Sequence, residues 1–203
     1  MKLLIATNNA HKAQEIREIL KDSFTEIVTM RDAGIEFEVE EDGTTFRENA
    51  LKKAVETLAY VSDRFDAVLA DDSGLCVDAL YGAPGVYSAR FSGEAHNDAA
   101  NNAKLVALLQ DVPEEKRTAR FCCCVALARK GREPIAVQGE VEGTILREAH
   151  GENGFGYDPF FYYAPFGKSF AELTVDEKNS VSHRKRALTL LREALDVENR
   201  GRI

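Results

Sequence analysis

Apolar residues along the chain follow two different periods. Short segments rich in apolar residues, typical of β-strands, occur at 2–6, 26–30 and 67–70, and two longer strand-like segments lie at 118–129 and 135–148. Longer stretches lie between them, and their apolar residues recur every three to four positions, as in amphipathic helices. Helices are therefore predicted for the segment that contains Ile16, Ile19 and Leu20, and for residues 44–61, 97–112 and 182–195.

Polar residues mark where two of these helices begin. Thr44 or Thr45 is predicted to cap the helix at 44–61, with Glu48 in its first turn. Asn97 is predicted to cap the helix at 97–112, since an asparagine oxygen can accept an unpaired N–H group of the first turn.

The alternation of strands and helices predicts an α/β fold with some α+β character, in which helices flank a central mixed β-sheet. The strands 118–129 and 135–148 are expected to be antiparallel neighbours, because the residues between them are too few for a crossover helix. A length of 203 residues suits one domain. We expect this domain to span 1–197, with an active-site cleft between two lobes, and residues 198–203 to form a flexible tail.

Composition and charge exclude several classes of protein. The chain has 44% hydrophobic and 30% charged residues, which is typical of a globular protein. No apolar run reaches the roughly 18 residues that span a bilayer, and the run after Lys2 is too short for a signal peptide. We therefore expect a cytoplasmic protein with no membrane partner. A formal net charge of −8 argues against a nucleic-acid partner, whose binding surface usually carries a basic excess.

The cysteines agree with a reducing compartment. Cys122, Cys123 and Cys124 are contiguous, and Cys76 stands alone. This spacing forms neither a disulfide framework nor a CxxC metal site. The cysteines are therefore predicted to be reduced, small residues in the core of a strand.

A polar loop between the first strand and the first helix indicates an anion site. Unpaired N–H groups at the start of a helix suit a phosphate. Thr7 and Asn9 can donate further hydrogen bonds, and Lys12 adds a full charge. The loop matches neither the Walker A pattern nor GxGxxG. The alternative is that Asn8 or Asn9 only caps the helix and that Lys12 is solvated.

A pair of carboxylates follows the buried strand at 67–70. Asp71 and Asp72 are adjacent, so their side chains are expected on opposite faces of the strand, with Ser73 and Gly74 next to them. Oxygen ligands at the end of a strand suit Mg²⁺, which commonly takes one or two carboxylates together with substrate phosphates. The alternative is a simple turn. The acidic run at 40–43, taken alone, is more typical of a solvated turn than of a metal site.

A glycine-rich loop at 151–156 contains Phe155 and is followed by Tyr157, and this arrangement favours a flat ligand. Glycines let the backbone approach such a ligand, and stacking of a base on an aromatic ring contributes about 1–3 kcal/mol. A purely structural loop is the alternative.

Basic residues cluster around the start of the last helix. Lys178, His183 and Arg184 place donors there although the helix dipole disfavours cations at an N-terminus. A bound ligand would offset that cost, and exposure to solvent would make it tolerable. From these residues alone we infer a metal-dependent enzyme or binder that acts on a phosphorylated, flat-ringed ligand.

Five motifs together resemble the inosine/xanthosine triphosphate pyrophosphatase family, and the resemblance covers the chain from Lys2 to about Leu195. They are T-x-N-x-x-K at 7–12, ADDSGL at 70–75, GAPGVYSAR at 82–90, GFGYDP at 154–159 and SHR at 182–184. Each motif is weak alone, but all five occur in register. Asn8 stands where many members have glycine, a difference that the loop should tolerate.

The resemblance implies an enzyme that uses Mg²⁺ to hydrolyse a nucleoside triphosphate to the monophosphate and pyrophosphate, and that works as a homodimer. It implies that Asp72 activates the attacking water, and that Glu40 and Asp72 hold the metal. The triphosphate would be held by Thr7, Asn9, Lys12 and Lys53, and further contacts to the substrate would come from Asn8, Ala10, His11 and Ser73. The base pocket would be formed by Phe155, Gly156, Tyr157, Asp158, Lys178, His183 and Arg184.

Base selection then has a chemical basis. Inosine and xanthosine carry a 6-oxo group, which a cationic donor such as Arg184 favours, whereas adenosine carries a 6-amino group. We expect ITP, dITP and XTP as substrates. Two alternatives stay open, namely a hydrolase of unusual pyrimidine nucleotides and a nucleotide-binding module without turnover.

Overall fold

The computed structural model of the chain describes residues 1–7, 10–94 and 97–200, and for Ala10, His11 and Asn199 it describes the backbone alone. The predicted substrate ligands Asn8 and Asn9 therefore lie outside the described residues, as do the side chains of Ala10 and His11 and the last three residues of the predicted tail.

Within the described residues, seven strands form one mixed sheet in the order β2-β1-β3-β4-β5-β6-β7. The strands are β1 (Lys2–Ile5), β2 (Glu26–Thr29), β3 (Ala67–Val77), β4 (Thr118–Arg129), β5 (Arg132–Ile145), β6 (Phe161–Tyr163) and β7 (Lys168–Ser169). β1 pairs in parallel with β2 and β3, whereas β6 is antiparallel to β5 and to β7. The predicted fold class, a mixed sheet with helices, is confirmed.

Five α-helices connect and follow the strands of the described residues. They are α1 (Ala10–Leu20), α2 (Phe46–Val61), α3 (Asp98–Leu108), α4 (Val175–Val181) and α5 (His183–Arg200). None of them combines the length and the apolar character that crossing a membrane requires.

Both predicted helix caps are present. The Thr45 hydroxyl accepts the N–H of Glu48, and the Glu48 carboxylate accepts the N–H of Thr45 in return, which makes a capping box at the start of α2. Thr45, rather than Thr44, is the cap residue. The Asn97 side chain accepts the N–H of Ala100 at the start of α3.

The third strand is longer than its apolar run predicts. β3 continues from Ala70 through the acidic pair to Val77, instead of ending at the acids. The extension is explained by the partners of Asp71 and Asp72, which are described below. Cations pair with the Asp71 carboxylate, and an amide donates a hydrogen bond to the Asp72 carboxylate. Burial of both carboxylates inside the strand is therefore tolerated.

The last helix also extends beyond its predicted end. α5 runs to Arg200, and the carboxylate of Glu198 accepts hydrogen bonds from Arg129 at 2.7 Å and Arg132 at 3.2 Å. These ion pairs tie the final turns to β4 and β5. The single domain at 1–197 and the flexible tail stay predictions.

The chain folds as two compact units. The first contains residues 1–72, 123–139 and the segment that begins at Arg184, and the second contains 73–122 and 140–183. In the first unit, the apolar faces of α1 and α5 pack on β1, β3 and β4, with Ile16 and Leu191 among the fully buried residues. This packing places the start of α1, and with it Lys12, beside the middle of β3.

An aromatic core fills the second unit. Phe121, Phe161 and Phe170 are in mutual contact, with ring centroids 4.6–5.8 Å apart, and Tyr157 is buried in the same core. All four cysteines are free thiols, as predicted, and Cys122, Cys123 and Cys124 are buried in β4.

Candidate active site

A cavity of about 230 Å³ opens in the first unit. It brings together three of the predicted phosphate ligands, Thr7, Lys12 and Lys53, with acidic side chains. Its full lining is Ala6, Thr7, Lys12, Met30, Phe37, Glu38, Val39, Glu41, Lys53, Thr57 and Asp71. Residues distant in sequence thus form one polar cavity with two lysines on its wall.

Asp71 sits at the centre of a buried ion-pair network. Its Oδ2 atom lies 2.9 Å from Lys12 Nζ and 3.3 Å from Arg184 Nε, and the Arg184 guanidinium also donates to Glu15 at 2.8 Å. Burial alone would raise the pKa of Asp71, but Lys12 and Arg184 hold that pKa well below its usual range. Asp71 is therefore a permanent anion that holds Lys12 at the cavity wall.

Asp72, on the opposite face of β3, has a different environment. Its Oδ2 atom accepts a hydrogen bond from the Asn49 amide at 2.9 Å. The pKa of Asp72 is raised to about 6, mainly by burial and also by the nearby charge of Glu41, while the Asn49 hydrogen bond and Lys53 act in the opposite direction. A carboxylate with this pKa can take up a proton near neutral pH, as a general base must.

Asn49 connects Asp72 to the acidic loop that precedes α2. While its amide nitrogen donates to Asp72, its Oδ1 atom accepts the N–H of Gly43 at 2.8 Å. A Cβ atom on Gly43 would lie 2.6 Å from Asn49 Oδ1, so this close approach requires glycine. Asn49 was not predicted from the sequence. The only sequence signal for it is that a polar amide stands among the apolar positions of the buried face of α2.

The acidic loop contributes Glu41 to the cavity rather than Glu40. Glu41 lines the cavity and forms an ion pair with Lys53, whereas the predicted metal ligand Glu40 is exposed and is absent from the lining. Among the described residues, no group of three or more His, Cys, Asp or Glu side chains that could hold a metal ion is present. Ser73, the neighbour of Asp72 in β3, is half-buried and belongs to the second unit.

The predicted base-pocket residues Phe155–Asp158 lie in the second unit, where Asp158 organises their loop. Asp158 is buried, and its Oδ2 atom accepts the N–H of Phe155 at 2.8 Å and the ammonium of Lys178 at 2.5 Å. Gly154 has φ +80°, and a Cβ atom there would lie 2.2 Å from that same oxygen. The glycines of the motif therefore allow the loop to close around Asp158.

Two aromatic residues of this loop have opposite exposure. The Phe155 side chain is 46% exposed, with Lys178 Nζ 4.7 Å from its ring centroid. Tyr157 is buried, and its hydroxyl donates to the Ser88 carbonyl at 2.8 Å. Burial raises the pKa of Tyr157 above its usual range. Phe155 is thus partly exposed beside Lys178, and Tyr157 anchors the loop to the core.

The two residues at the start of α5 are both buried. His183 stacks on Phe121, with centroids 5.2 Å apart and ring planes 16° from parallel, and it belongs to the second unit. Arg184 belongs to the first unit, where Asp71 and Glu15 balance its charge. That balance explains how the basic start of α5 is tolerated, and the sequence analysis did not foresee the role of Glu15.

The chain matches one protein family along nearly its whole length. The family described as the Ham1 family matches residues 3–194. A similar protein is the dITP/XTP pyrophosphatase of Desulforamulus reducens, which is 50% identical over 200 residues, covering 98% of this chain and 96% of the relative. The dITP/XTP pyrophosphatase of Clostridium perfringens is 48% identical over 197 residues, covering 96% of this chain and 97% of the relative.

Solved structures give the same result for the fold. The Staphylococcus aureus Ham1 protein superposes with a TM-score of 0.87 at 38% identity, covering 98% of this chain and all of that one. The nucleoside-triphosphatase / dITP/XTP pyrophosphatase from Mycobacterium abscessus superposes with a TM-score of 0.79 at 46% identity, covering 94% of this chain and 98% of that one.

Proposed function

Because this chain belongs to the Ham1 family, we propose that it hydrolyses deaminated purine nucleoside triphosphates to the monophosphate and pyrophosphate. ITP, dITP and XTP are the proposed substrates, which the enzyme removes from the nucleotide pool. Relatives about half identical along nearly their full length carry the name dITP/XTP pyrophosphatase, in agreement with the resemblance predicted from the five motifs.

The observation that carries the proposal is the polar cavity of the first unit. Thr7, Lys12 and Lys53 line it together, and Asp71 fixes the Lys12 ammonium at its wall. The substrate is a polyanion, and the two lysines on the cavity wall can contact its phosphates. We assign Thr7, Asn8, Asn9, Ala10, His11, Lys12, Lys53 and Ser73 to the binding of the phosphates and the sugar.

Mg²⁺ is the proposed cofactor, and the donor set of the first unit fits it. Mg²⁺ usually takes one or two carboxylates and completes its shell with water and substrate phosphates, so it needs no cluster of three acidic residues. Asp72 would hold it together with Glu40, and Glu41 of the same acidic loop lines the cavity. When bound, the metal neutralises phosphate charge and lowers the pKa of water.

Asp72 is the proposed general base for the water that attacks the α-phosphorus. The Asn49 amide donates to Asp72 Oδ2 at 2.9 Å, which orients the carboxylate. Attack at the α-phosphorus breaks the bond to the bridging oxygen, so the β- and γ-phosphates leave together as pyrophosphate. The proton taken up by Asp72 is then released to solvent.

The loop at 154–158 is the proposed site for the base. Phe155 offers an exposed ring for stacking, and Asp158 holds Lys178 beside that ring. Gly156, Tyr157, His183 and Arg184 complete the proposed pocket. Cationic donors favour the 6-oxo group of hypoxanthine and xanthine, whereas the 6-amino group of adenine would leave a buried donor without an acceptor.

A product assay tests the proposal directly. The purified protein with Mg²⁺ is offered ITP, dITP, XTP, ATP, GTP and dTTP in parallel, and pyrophosphate and orthophosphate are measured separately. We expect rapid release of pyrophosphate from the first three. Orthophosphate as the first product would contradict attack at the α-phosphorus, and a preference for dTTP would indicate a pyrimidine enzyme. Binding without any product would indicate a nucleotide-binding module.

We also infer a cytoplasmic homodimer, on the basis of the family resemblance and of cysteines that are all free thiols. Light scattering coupled to gel filtration tests the assembly. A mass twice that of one chain is expected, and the mass of a single chain would contradict the dimer.

A further inference from the structure

We propose that Asp98 and Asn102 of α3 are positioning residues for base recognition, because they hold the Gly156 peptide and thereby fix the ring of Phe155. The Asp98 carboxylate accepts the N–H of Gly156 at 2.8 Å, and the Asn102 amide donates to the Gly156 carbonyl at 2.8 Å. This inference rests on the proposed function, in which Phe155 stacks on the base.

The two side chains act as a pair because of their spacing. Residues four apart lie on the same face of a helix, so Asp98 and Asn102 present an acceptor and a donor side by side. Gly156 presents the complementary N–H and carbonyl groups, and both of its backbone polar groups are used. α3 therefore holds one residue of the loop from two points.

Hydrogen bonds flank Phe155 on both sides. Asp158 accepts the N–H of Phe155, which fixes the peptide before it, and Asp98 accepts the N–H of Gly156, which fixes the peptide after it. The direction of the Phe155 side chain follows from these two peptides. The ring itself is 46% exposed and has Lys178 Nζ 4.7 Å from its centroid, so the backbone contacts act together with this cation to position it.

Asp98 could have a second role that the test must separate. It lies in the first turn of α3, where a negative charge stabilises the helix through its dipole. That role needs the charge, whereas holding Gly156 needs only an acceptor oxygen. Asp98→Asn removes the charge and keeps an oxygen, and Asp98→Ala removes both.

The experiment compares Asp98→Ala, Asn102→Ala and Asp98→Asn with the wild-type protein. Asp111→Ala is the matched control, because Asp111 is an exposed aspartate of the same unit. Steady-state kinetics with dITP give KM and kcat, and inhibition by inorganic tripolyphosphate reports phosphate binding without a base. Hydrogen exchange of the peptide that covers 153–158 reports whether the loop is held.

We expect both alanine variants to raise the KM for dITP about fivefold to tenfold, the effect of one lost hydrogen bond, and to change kcat less than about twofold. The tripolyphosphate inhibition constant should not change, and the loop amides should exchange faster. Asp98→Asn and Asp111→Ala should behave like the wild type. An unchanged KM, or an equal loss of tripolyphosphate affinity, would overturn the inference.

If the proposed function is wrong, the experiment gives a different result. In that case the wild-type protein itself would release no pyrophosphate from any purine nucleotide. Calorimetric titration with dIMP then decides the inference, since it needs no turnover. Weaker dIMP binding by the alanine variants would support positioning by α3, and equal or absent binding in all variants would overturn it.

Discussion

Two neighbouring aspartates of β3 show how one strand can provide two kinds of carboxylate. Asp71 is paired with Lys12 and Arg184, which hold its pKa below the usual range in spite of burial. Asp72 is met by the neutral amide of Asn49, and burial raises its pKa to about 6. Both side chains carry the same carboxyl group, so their different partners make Asp71 a structural anion and Asp72 a candidate base.

Asp71→Asn is expected to destabilise the fold. The substitution removes the anion between two cations and leaves the buried Arg184 with Glu15 as its remaining carboxylate. Breaking a buried pair from one side costs about 3–5 kcal/mol, and we expect about 3 kcal/mol here because Glu15 remains. Urea unfolding measures this as a lower midpoint at an unchanged slope. A midpoint equal to that of the wild type would show that the pair contributes no net stability.

Asp72→Asn is expected to impair catalysis rather than stability. The amide keeps the size and an oxygen for Asn49, but it cannot take a proton, so kcat with dITP should fall about 10²–10⁴-fold. Stability should be unchanged or slightly higher, because an ionised carboxylate at this buried position is unfavourable. Single-turnover assays and urea unfolding of the same preparation test both parts. Near-normal turnover would exclude Asp72 as the base.

The start of α2 shows how a helix is stabilised at its end. The Glu48 carboxylate accepts from the N–H and hydroxyl groups of Thr44 and from the N–H of Thr45. Hydrogen bonds from Thr44, the largest cause, lower the pKa of Glu48 below its ordinary 4.5. The sequence predicted a cap at Thr44 or Thr45 with Glu48 in the first turn, and in the structure Thr45 is the cap.

Glu48→Gln should therefore lower stability in a pH-dependent way. A carboxylate whose pKa is lower in the folded state contributes stability that is present above its unfolded pKa of about 4.5 and is lost as the pH falls through the folded value. At pH 7 the variant should unfold at lower urea than the wild type, and the difference should shrink at pH 3. Thr45→Ser, which keeps the cap, should stay close to the wild type. A difference that does not change with pH would contradict the role of the charge.

Local patterns predicted the elements well and the contacts between distant elements poorly. The helix caps at Thr45 and Asn97 depend on residues three apart, so the sequence shows them directly. The predicted end of β3 was wrong, because the cations that pair with the buried Asp71 carboxylate come from α1 and α5. Asn49, Asp98 and Asn102 were missed for the same reason, since their functions depend on loops that only the folded chain brings near them.

Charge at the scale of the whole molecule contrasts with charge at the candidate site. The chain carries a formal net charge of −8, yet its proposed ligand is a polyanion. Lys12 and Lys53 line the cavity, but each is paired there with a carboxylate, so the lysines alone do not offset the charge of the ligand. A bound Mg²⁺ would supply the additional positive charge that a triphosphate needs.

Ligand binding should accordingly stabilise the whole fold in a selective way. A ligand that binds only the folded state at 100 times its Kd adds about 2.7 kcal/mol to the free energy of unfolding. With Mg²⁺, α,β-methylene dITP, which cannot be cleaved at the α-phosphorus, should therefore raise Tm by several degrees, and the ATP analogue should raise it much less. Chelation of the metal by EDTA should reduce the shift. Equal shifts for both analogues would show that the protein recognises the triphosphate and not the base.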